Sequence, residues 1–252
     1  MKNERIEQIK RYLQKRKSAT VIDLSKSLFV STATVRRDLA QMEKQGLLER
    51  THGGAMLKQN IDDESAFKLR TQKNIVEKRK IASLCLPLLK GESSIFLDGS
   101  STVNCLIPLL SKLPQITVVT NGVRTALSLS KLENVTVKIL GGELKTNGNS
   151  SLGASTLNQL SAMYFDYAIL SCSGFTIDGV FTDTSEEQSF IKRLSAKNSK
   201  KVIMLADGSK ANQSFLYKTF TASDIDYFIT NETLPTPLKE TLTHQNCQVI
   251  TD

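Results

Sequence analysis

Two segments of this sequence carry side chains that could bind a negatively charged partner. The segment Ser31–Arg37 places small side chains before two adjacent arginines, and arginine donates paired hydrogen bonds to phosphate oxygens and to guanine. The segment Asp98–Thr102 has the sequence Asp-Gly-Ser-Ser-Thr, which is typical of loops that offer backbone amides and hydroxyls to a phosphate at a helix start. Many strand-to-helix turns have this composition for steric reasons alone, so the second segment needs support from elsewhere in the chain.

The first segment has to lie on a helix to present its side chains together. Ile6, Ile9 and Leu13 recur at spacings of three and four, which predicts an amphipathic helix from Arg5 to about Lys15. A second short helix is predicted from about Val21 to Leu28, again with apolar residues on one face.

A third helix is predicted after Ser31, whose hydroxyl can accept a hydrogen bond from the first-turn amides. Val35, Leu39 and Met42 give this helix a buried stripe. The face opposite the stripe and its flank carry Ala33, Arg36, Arg37 and Lys44, and the small Thr32 and Thr34 stand in the first turn. This face suits a helix that approaches base edges in a DNA groove. An ordinary solvated helix face is the alternative interpretation of the arginines.

Two short strands are predicted beyond the third helix, which is expected to end at Gly46. Leu47–Thr51 and Ala55–Leu57 flank the segment His52–Gly54, whose glycines can adopt the positive φ of a hairpin turn. Three helices followed by a hairpin form a winged-helix arrangement. The lone His52 has no evident orienting partner and is expected to donate to a backbone or phosphate oxygen, without a catalytic role.

The positive charge of the chain is concentrated in its first quarter. Residues 1–58 contain 13 Lys and Arg against 6 Asp and Glu, whereas residues 59–252 contain 20 against 19. A small basic module on a near-neutral body indicates a nucleic-acid binder joined to a domain that need not touch the polyanion. A solvated lysine-rich terminus would have the same composition, so the decision rests on the helix pattern.

The segments Val30–Leu39 and Leu47–Ala55 together resemble the DNA-binding signature of the DeoR family of bacterial transcription regulators. The paired arginines and the His-Gly-Gly-Ala wing at this distance make the resemblance specific. It implies that the third helix enters the major groove of an operator and that the wing lies along the DNA backbone. Asp38 is expected to orient a neighbouring arginine, since phosphate would repel its carboxylate. The residues expected to contact DNA are Ser31, Thr32, Ala33, Thr34, Arg36, Arg37, Lys44, Arg50 and His52.

A polar connector is predicted to follow, from Lys58 to about Thr71. Phe67, Arg70, Asn74 and the run Glu77–Ala82 resemble the start of the effector domain in the same family, so the resemblance extends over nearly the whole chain. The expected division is a winged helix-turn-helix domain at 1–58, a linker at 59–73 and an effector domain at 74–252.

Beyond residue 74, short apolar runs alternate with helical stretches, which predicts a doubly wound, mostly parallel α/β domain. Small and polar residues follow the strands, and ligands bind at this edge of such sheets. Lys210 could neutralise a sugar phosphate at Asp98–Thr102, with Asp98 accepting from a ligand hydroxyl. This layout resembles the fold of ribose-phosphate and glucosamine-phosphate isomerases. The expected effector-binding residues are Asp98, Gly99, Ser100, Ser101, Thr102, Thr120, Asn121, Gly141, Gly142, Gly174, Glu187 and Lys210.

An active isomerase would need a carboxylate or histidine placed to move a proton between sugar carbons. The loop Ser171–Gly174, where those isomerases carry acidic residues, has no carboxylate. Glu187 is a candidate base, but the spacings around it, including Ser185-x-x-Gln188, fit a capping box at a helix start. In the family an acidic residue before a lysine, here Lys192, accompanies the effector pocket, and either Glu187 or Gln188 could hold that place.

The remaining features exclude other classes of protein. Four scattered cysteines and two distant histidines provide no metal-ligand spacing, and no apolar run approaches the ~18 to 20 residues of a membrane span. We therefore expect a cytoplasmic, DNA-binding repressor of a carbohydrate operon that uses no cofactor. It is expected to be relieved by a phosphorylated sugar and to act as a homo-oligomer, a dimer or a tetramer. A sugar-phosphate isomerase with an appended DNA-binding head is the alternative.

Overall fold

A computed structural model describes residues 2–16, 18–44, 48–51, 53–57, 63–144 and 149–251. Contacts between residues divide the chain into two units, with the boundary between Leu69 and Arg70. This boundary lies inside the predicted connector. A helix, Asp63–Gln72, occupies part of that connector, although its polar sequence lacks the apolar stripe that would have predicted one.

Among its described residues, the first unit contains three complete helices, the greater part of the connector helix and a three-stranded antiparallel sheet. The helices are α1 (Lys2–Arg16), α2 (Val21–Leu28) and α3 (Thr32–Lys44), and the strands are β1 (Ser18–Thr20), β2 (Leu48–Thr51) and β3 (Gly54–Leu57). The sheet order is β1-β3-β2, so the predicted hairpin is confirmed and gains a third strand. Ile9, Leu13, Val35, Leu39 and Met42 are fully buried, which confirms the apolar stripes predicted for α1 and α3.

The start of α2 shows why the chain turns where it does. The Thr20 hydroxyl accepts from the Asp23 amide at 3.1 Å, and the Asp23 carboxylate accepts from the Thr20 amide at 3.3 Å. This reciprocal cap satisfies donors that the first turn of a helix leaves unpaired. The helix ends at Phe29, which adopts the left-handed conformation with φ 53° and turns the chain toward α3.

The second unit is built around a seven-stranded parallel sheet. Its strands are β4 (Ser94–Leu97), β5 (Ile116–Thr120), β6 (Val135–Ile139), β9 (Phe165–Leu170), β12 (Ser199–Leu205), β14 (Tyr227–Ile229) and β15 (Gln248–Ile250), in the order β15-β14-β12-β9-β4-β5-β6. Adjacent strands all pair in parallel. The predicted doubly wound α/β domain is therefore confirmed.

Helices and short strands complete this unit. The helices are α4 (Asp63–Gln72, which spans the boundary), α5 (Ile75–Cys85), α6 (Val123–Leu129), α7 (Ala154–Ser161), α8 (Glu186–Lys197) and α9 (Thr236–His244). Short 3₁₀ segments include Val103–Lys112 and Gly208–Lys210. The pairs β7–β8 (Glu143–Leu144, Ser151–Leu152) and the sheet β10–β11–β13 (Gly174–Phe175, Val180–Asp183, Tyr217–Thr221) are antiparallel additions that the sequence pattern did not predict.

Alternating side chains of β4 pack into cores on both faces of the parallel sheet. Phe96 belongs to one buried cluster, whereas Ile95 and Leu97 belong to the other. Strands β5 and β6 follow on one side of β4, and β9 pairs with its other side. The order of the strands therefore reverses between β4 and β9, and in open α/β sheets ligands bind outside the carboxyl ends of the strands at such a reversal.

Candidate functional site

The outer face of α3 is the first candidate binding surface. The Ser31 hydroxyl accepts a hydrogen bond from the Thr34 amide at 3.2 Å and so caps the helix. With Val35 buried, Arg36 and Arg37 are exposed to solvent. The neighbouring Thr32 and Ala33 are also exposed, and Thr34 is half-buried. The first turn of α3 and both arginines thus lie on one accessible face, as the helical periodicity predicted.

Asp38 lies on the opposite side of α3 and fixes the helix to α1. Its carboxylate is buried and accepts two hydrogen bonds from Arg5, from Nε at 2.5 Å and from Nη2 at 3.2 Å. The hydrogen bond to Asp38 raises the pKa of Arg5. Asp38 therefore orients an arginine, as expected, but that arginine comes from α1, and Arg36 and Arg37 keep their place on the outer face.

Arg50 on β2 is placed between the hairpin and α3. Its Nη1 donates to the Arg36 carbonyl at 3.5 Å, and its buried Nε has no acceptor among the described residues. Arg50 thus contacts the backbone of α3 in this structure, and its contact with DNA stays a prediction. Lys44 is the last residue of α3, but its side chain, like the whole of His52, lies outside the described residues.

The second candidate site lies at the reversal of strand order between β4 and β9. Asp98, directly after β4, is buried, and both of its carboxylate oxygens accept from backbone amides: Ser100 at 2.9 Å and Ser171 at 2.8 Å. We expected Asp98 to accept from a ligand hydroxyl. In the structure the carboxylate holds the two loops together, and a contact of Asp98 with a ligand hydroxyl stays a prediction.

Lys210 reaches the same place from the end of β12. Asp207 caps the short helix Gly208–Lys210, and the Lys210 ammonium donates to Ser171 Oγ at 2.8 Å and lies 3.5 Å from Thr102 Oγ1. A half-buried cation therefore stands between the loop after β4 and the loop after β9. An ammonium beside two hydroxyls at a helix start can bind a phosphate.

Lys192 is a buried residue of this site that the sequence reasoning did not assign to it as a binding group. Its ammonium donates to the Ser171 carbonyl at 2.6 Å and to Asp183 Oδ1 at 2.8 Å, and lies 3.9 Å from Asp98 Oδ2. Burial lowers the pKa of Lys192, but the Asp183 and Asp98 carboxylates outweigh it and raise that pKa above its ordinary value. The carboxylates that accompany Lys192 are therefore Asp183 and Asp98.

Glu187 lies in the first turn of α8, where a helix start favours an anion. Ser185 caps this helix and accepts from the Gln188 amide at 3.4 Å, which is one half of the predicted capping box; a structural role for Glu187 stays a prediction. Whether Glu187 or Gln188 lines an effector pocket stays a prediction.

Lys78 on α5 is a residue of this region that the sequence reasoning missed. It is buried, and its ammonium donates to the Lys73 carbonyl at 2.8 Å, to Ser101 Oγ at 3.2 Å and to the Arg70 carbonyl. Burial is the main reason that the pKa of Lys78 is lowered to about 8.

The sequence contains a pattern that indicates interior partners for both Lys78 and Lys192. Lys78 shares the buried face of α5 with Ile81 and Cys85, and Lys192 lies beside Ile191 on the buried face of α8. A charged residue on an apolar helical stripe must have a partner in the interior. Such a break in the pattern marks a position worth assigning to a site.

Gly99 packs against a neighbouring loop. A Cβ atom at Gly99 would lie 2.7 Å from Ser150 Oγ and 3.2 Å from Gly122 Cα. Gly99 therefore allows close approach of Ser150 and of the loop after β5, and the close approach of a ligand that we expected there stays a prediction. Gly141, Gly142 and Gly174 likewise pack closely, against Gln159, Thr156 and Gln213 respectively.

Two further predicted residues lie at the end of β5 and at the start of the loop that follows it. Thr120 Oγ1 accepts from the Gly122 amide at 3.0 Å, and Asn121 Nδ2 donates to the Ser151 carbonyl at 3.2 Å. Both side chains are fully buried, and Asn121 Oδ1 has no partner within the described ranges. These hydrogen bonds shape the loop, and a direct contact with an effector stays a prediction.

Two further classes of site, a metal centre and a membrane-spanning helix, are absent from the described part of the chain. No group of three or more His, Cys, Asp or Glu there could hold a metal ion. No helix there is long and apolar enough to cross a membrane.

Comparison with known proteins places both units in one family. Residues 5–60 match the family model of the DeoR-like helix-turn-helix domain, and residues 73–232 match that of the DeoR C terminal sensor domain. The chain is 34% identical over 228 residues to the HTH-type transcriptional regulator GolR of Listeria innocua, covering 90% of each protein.

Other relatives are named for opposite directions of control. The HTH-type transcriptional repressor GlcR of Bacillus subtilis is 32% identical, covering 90% of this chain and 88% of its own. The L-fucose operon activator of Haemophilus influenzae is 31% identical, covering 94% and 95%. Among solved structures, a D-ribose-5-phosphate isomerase in complex with phospho-erythronic acid aligns with 53% of this chain and 52% of its own, at 15% identity and a TM-score of 0.41.

Proposed function

This chain belongs to the DeoR family of transcription regulators, and from that premise we propose that it represses a carbohydrate operon and leaves its operator when a phosphorylated sugar binds. The unit up to Leu69 is called the reader unit, and the unit from Arg70 onward the sensor unit. The protein regulates transcription by binding DNA and is not an enzyme, as the names of its relatives indicate.

The observation that carries the DNA-binding half of the proposal is the outer face of α3. Its exposed arginines and small first-turn residues stand on a helix whose other side is locked by Arg5 and Asp38. A rigid helix with a basic outer face suits the major groove, where arginine reads guanine and small residues allow close approach. Palindromic operators need paired readers at a fixed spacing, so we expect a dimer or a tetramer.

The effector half rests on the loops that meet beside Lys210. Lys192 is neutralised by Asp183 and Asp98, whereas the Lys210 ammonium contacts hydroxyls. A positive group next to the hydroxyls of Thr102 and Ser171 favours a phosphate oxygen over a neutral sugar. A phosphorylated sugar rather than the free sugar is therefore the proposed signal. Such a regulator would act in the cytoplasm, where both operator and phosphorylated sugars are found.

Operator release on binding a sugar phosphate is the test. The full chain is titrated onto duplexes from the regions upstream of its own and adjacent genes, with binding followed by fluorescence anisotropy at fixed salt. Ribose 5-phosphate, glucose 6-phosphate, fructose 1-phosphate and glucosamine 6-phosphate are then added, each beside its free sugar and inorganic phosphate. We expect one phosphorylated sugar to weaken binding by ~5- to 150-fold, the usual range of coupling between sites.

Three outcomes would contradict the proposal. Failure to prefer any of these duplexes over random DNA would refute DNA-specific regulation. A response to the free sugars equal to that of their phosphates would refute the phosphate signal. Tighter operator binding with a sugar phosphate would show a co-repressor or activator in place of an inducible repressor.

The isomerase alternative is not favoured. The acids nearest the site are occupied: Asp98 accepts from two amides, and Asp183 pairs with the buried Lys192. A general base has to reach the substrate proton, and these carboxylates face the interior network. Turnover of any of the four sugar phosphates by the purified protein would overturn this conclusion.

A further inference from the structure

We propose that Lys78 couples the sensor site to the connector helix α4, so that an anion bound beside Ser101 changes the capping of the carboxyl end of α4. The inference rests on the proposed function and adds a residue that transmits the signal. Helix α4 is the segment through which the chain passes from the reader unit to the sensor unit. A structural change at the carboxyl end of α4 is therefore a change in the segment that connects the reader unit to the sensor unit.

The geometry of Lys78 carries this inference. Its ammonium lies between the end of α4 and the first loop of the site, because it donates to the Arg70 and Lys73 carbonyls on one side and to Ser101 Oγ on the other. The last carbonyls of a helix lack partners within the helix and carry its negative dipole end. A lysine there acts as a cap for α4. An ammonium has three donors, and all three of these are engaged.

A second contact joins the same corner to the other half of the site. Asn74, which begins α5 in the left-handed conformation with φ 54°, donates from Nδ2 to Asp207 Oδ1 and Ser209 Oγ, both at 2.9 Å. Asp207 in turn caps the short helix that ends at Lys210. The corner between α4 and α5 is thus tied both to the Ser101 loop and to the segment that carries Lys210.

A bound anion and the Arg70 and Lys73 carbonyls compete for the Lys78 ammonium. The corner between α4 and α5 therefore has two arrangements. A phosphate oxygen is a stronger acceptor for an ammonium than a neutral carbonyl, because the hydrogen bond is charge-assisted at both ends. An anion beside Ser101 and Lys210 therefore draws the Lys78 ammonium toward itself and away from the Arg70 and Lys73 carbonyls. The end of α4 then loses its cap, and a ligand that binds one arrangement better shifts the population toward it.

This role differs measurably from that of an ordinary ligand-binding cation. Removing Lys210 takes away ligand affinity, so a higher concentration of ligand restores the full effect on operator binding. Removing Lys78 takes away the connection, so even saturating ligand produces little effect. The plateau of the response, and not only its midpoint, separates the two roles.

The experiment compares Lys78→Met, Lys210→Met and Lys80→Met in the full chain. Lys80 is an exposed lysine two positions from Lys78 on α5 and serves as the matched control. Operator binding is followed while the most tightly bound of the four sugar phosphates is added to saturation, and binding of that sugar phosphate is measured separately by calorimetry. We expect Lys78→Met to bind it with less than ~2-fold change in operator affinity at saturation, against the ~5- to 150-fold change expected of the wild type.

The other two variants are expected to keep the full plateau. Lys210→Met should shift only the midpoint, to higher sugar phosphate, and Lys80→Met should behave as the wild type. A full plateau in Lys78→Met would overturn the inference, as would an equal loss in Lys80→Met. A wild type that responds to no sugar phosphate would instead contradict the proposed function, so the two failures are distinguishable.

A fluorescent reporter at α4 provides a second readout. The chain contains no tryptophan, and Gln72 is exposed at the end of α4, so Gln72→Trp gives a single signal from the helix end. We expect the sugar phosphate to change this emission in the Lys78 background and not in Lys78→Met. Should Lys78→Met fail to fold, Lys78→Gln keeps a polar donor for the carbonyls but has no charge for the anion to attract. A full emission change in Lys78→Gln would then refute the inference.

Discussion

The reader and sensor units place their predicted binding residues in opposite environments. In the reader unit, Arg36 and Arg37 are adjacent in the sequence and exposed on one helix. In the sensor unit, Asp98 and Thr102 are buried with exposed fractions of 2% and 1%, and Thr102 contacts Lys210, which lies more than a hundred residues further along the chain. The partners that we propose for the two units both carry phosphate, but the side chains proposed to bind them are mostly exposed in one unit and mostly buried in the other.

The size of the partner explains this difference. A DNA duplex cannot enter a protein, so its reader must present side chains outward from a continuous element that fits a groove. A small metabolite can be enclosed, and a site that encloses it needs groups that converge from several loops. Buried charges in such a site must be paired, which is why the sensor unit contains Lys192 between Asp183 and Asp98 while the α3 face contains no counterpart among its exposed residues.

The largest expected effect tests whether the buried charges hold the sensor unit together. Lys192 and Lys200 both form ion pairs of 2.8 Å, with Asp183 and Asp166, but their side chains are 9% and 79% exposed. Lys192→Met leaves Asp183 buried without its cation, so we expect a loss of about 3 to 5 kcal/mol in the free energy of unfolding. Lys200→Met should cost less than about 1 kcal/mol.

Urea unfolding of both variants, followed by far-UV circular dichroism, measures this difference. Equal losses in the free energy of unfolding would mean that burial does not distinguish the two ion pairs. The argument that the sensor unit depends on paired buried charges would then be refuted.

The next effect tests the exposed face of the reader unit. Arg37→Ala should weaken operator binding by about 1 to 3 kcal/mol if Arg37 contacts a base, and it should change the free energy of unfolding by less than about 0.5 kcal/mol because the side chain is exposed. Anisotropy titrations at fixed salt check the first value and urea unfolding the second. Lys112→Ala, an exposed cation of the sensor unit, is the control and should leave operator affinity unchanged.

Arg37→Ala also sharpens the distinction between a base contact and a phosphate contact. A base contact predicts that the loss is confined to the operator and that binding to random DNA changes little. A uniform loss on all duplexes would assign Arg37 to the DNA backbone. Unchanged operator affinity would contradict the proposed docking of α3.

The contrast between the units also explains what the sequence could predict. The outer face of α3 follows from local periodicity: Val35, Leu39 and Met42 define the buried side, and the exposed side follows at once. The parallel sheet was predictable for the same reason, since each strand is a short apolar run. Strand β1 was not, because Ser18–Thr20 has no apolar alternation and is held by its register with Gly54–Met56.

Partners in the sensor site could not be predicted from local pattern. Asp98 was identified as a candidate, but its second amide partner, Ser171, depends on how β4 and β9 pair. The close packing of Gly99 could not be predicted for a similar reason, because its nearest neighbours, Ser150 and Gly122, are distant in the sequence. Local sequence indicates which residues are small or charged, whereas the order of strands decides which of them meet.

The smallest expected effect separates two roles of Ser31, which was predicted both to cap α3 and to contact DNA. Its hydroxyl accepts from the Thr34 amide at 3.2 Å, so Ser31→Ala should lower the free energy of unfolding of the reader unit by about 1 kcal/mol. Ser31→Asp should keep the cap, since a carboxylate is also favoured at a helix start, but it should repel DNA phosphates. If Ser31 only caps the helix, Ser31→Ala retains operator affinity at temperatures well below unfolding, while Ser31→Asp loses affinity with no loss of stability. Loss of affinity in Ser31→Ala under those conditions would instead show that the hydroxyl itself contacts the operator.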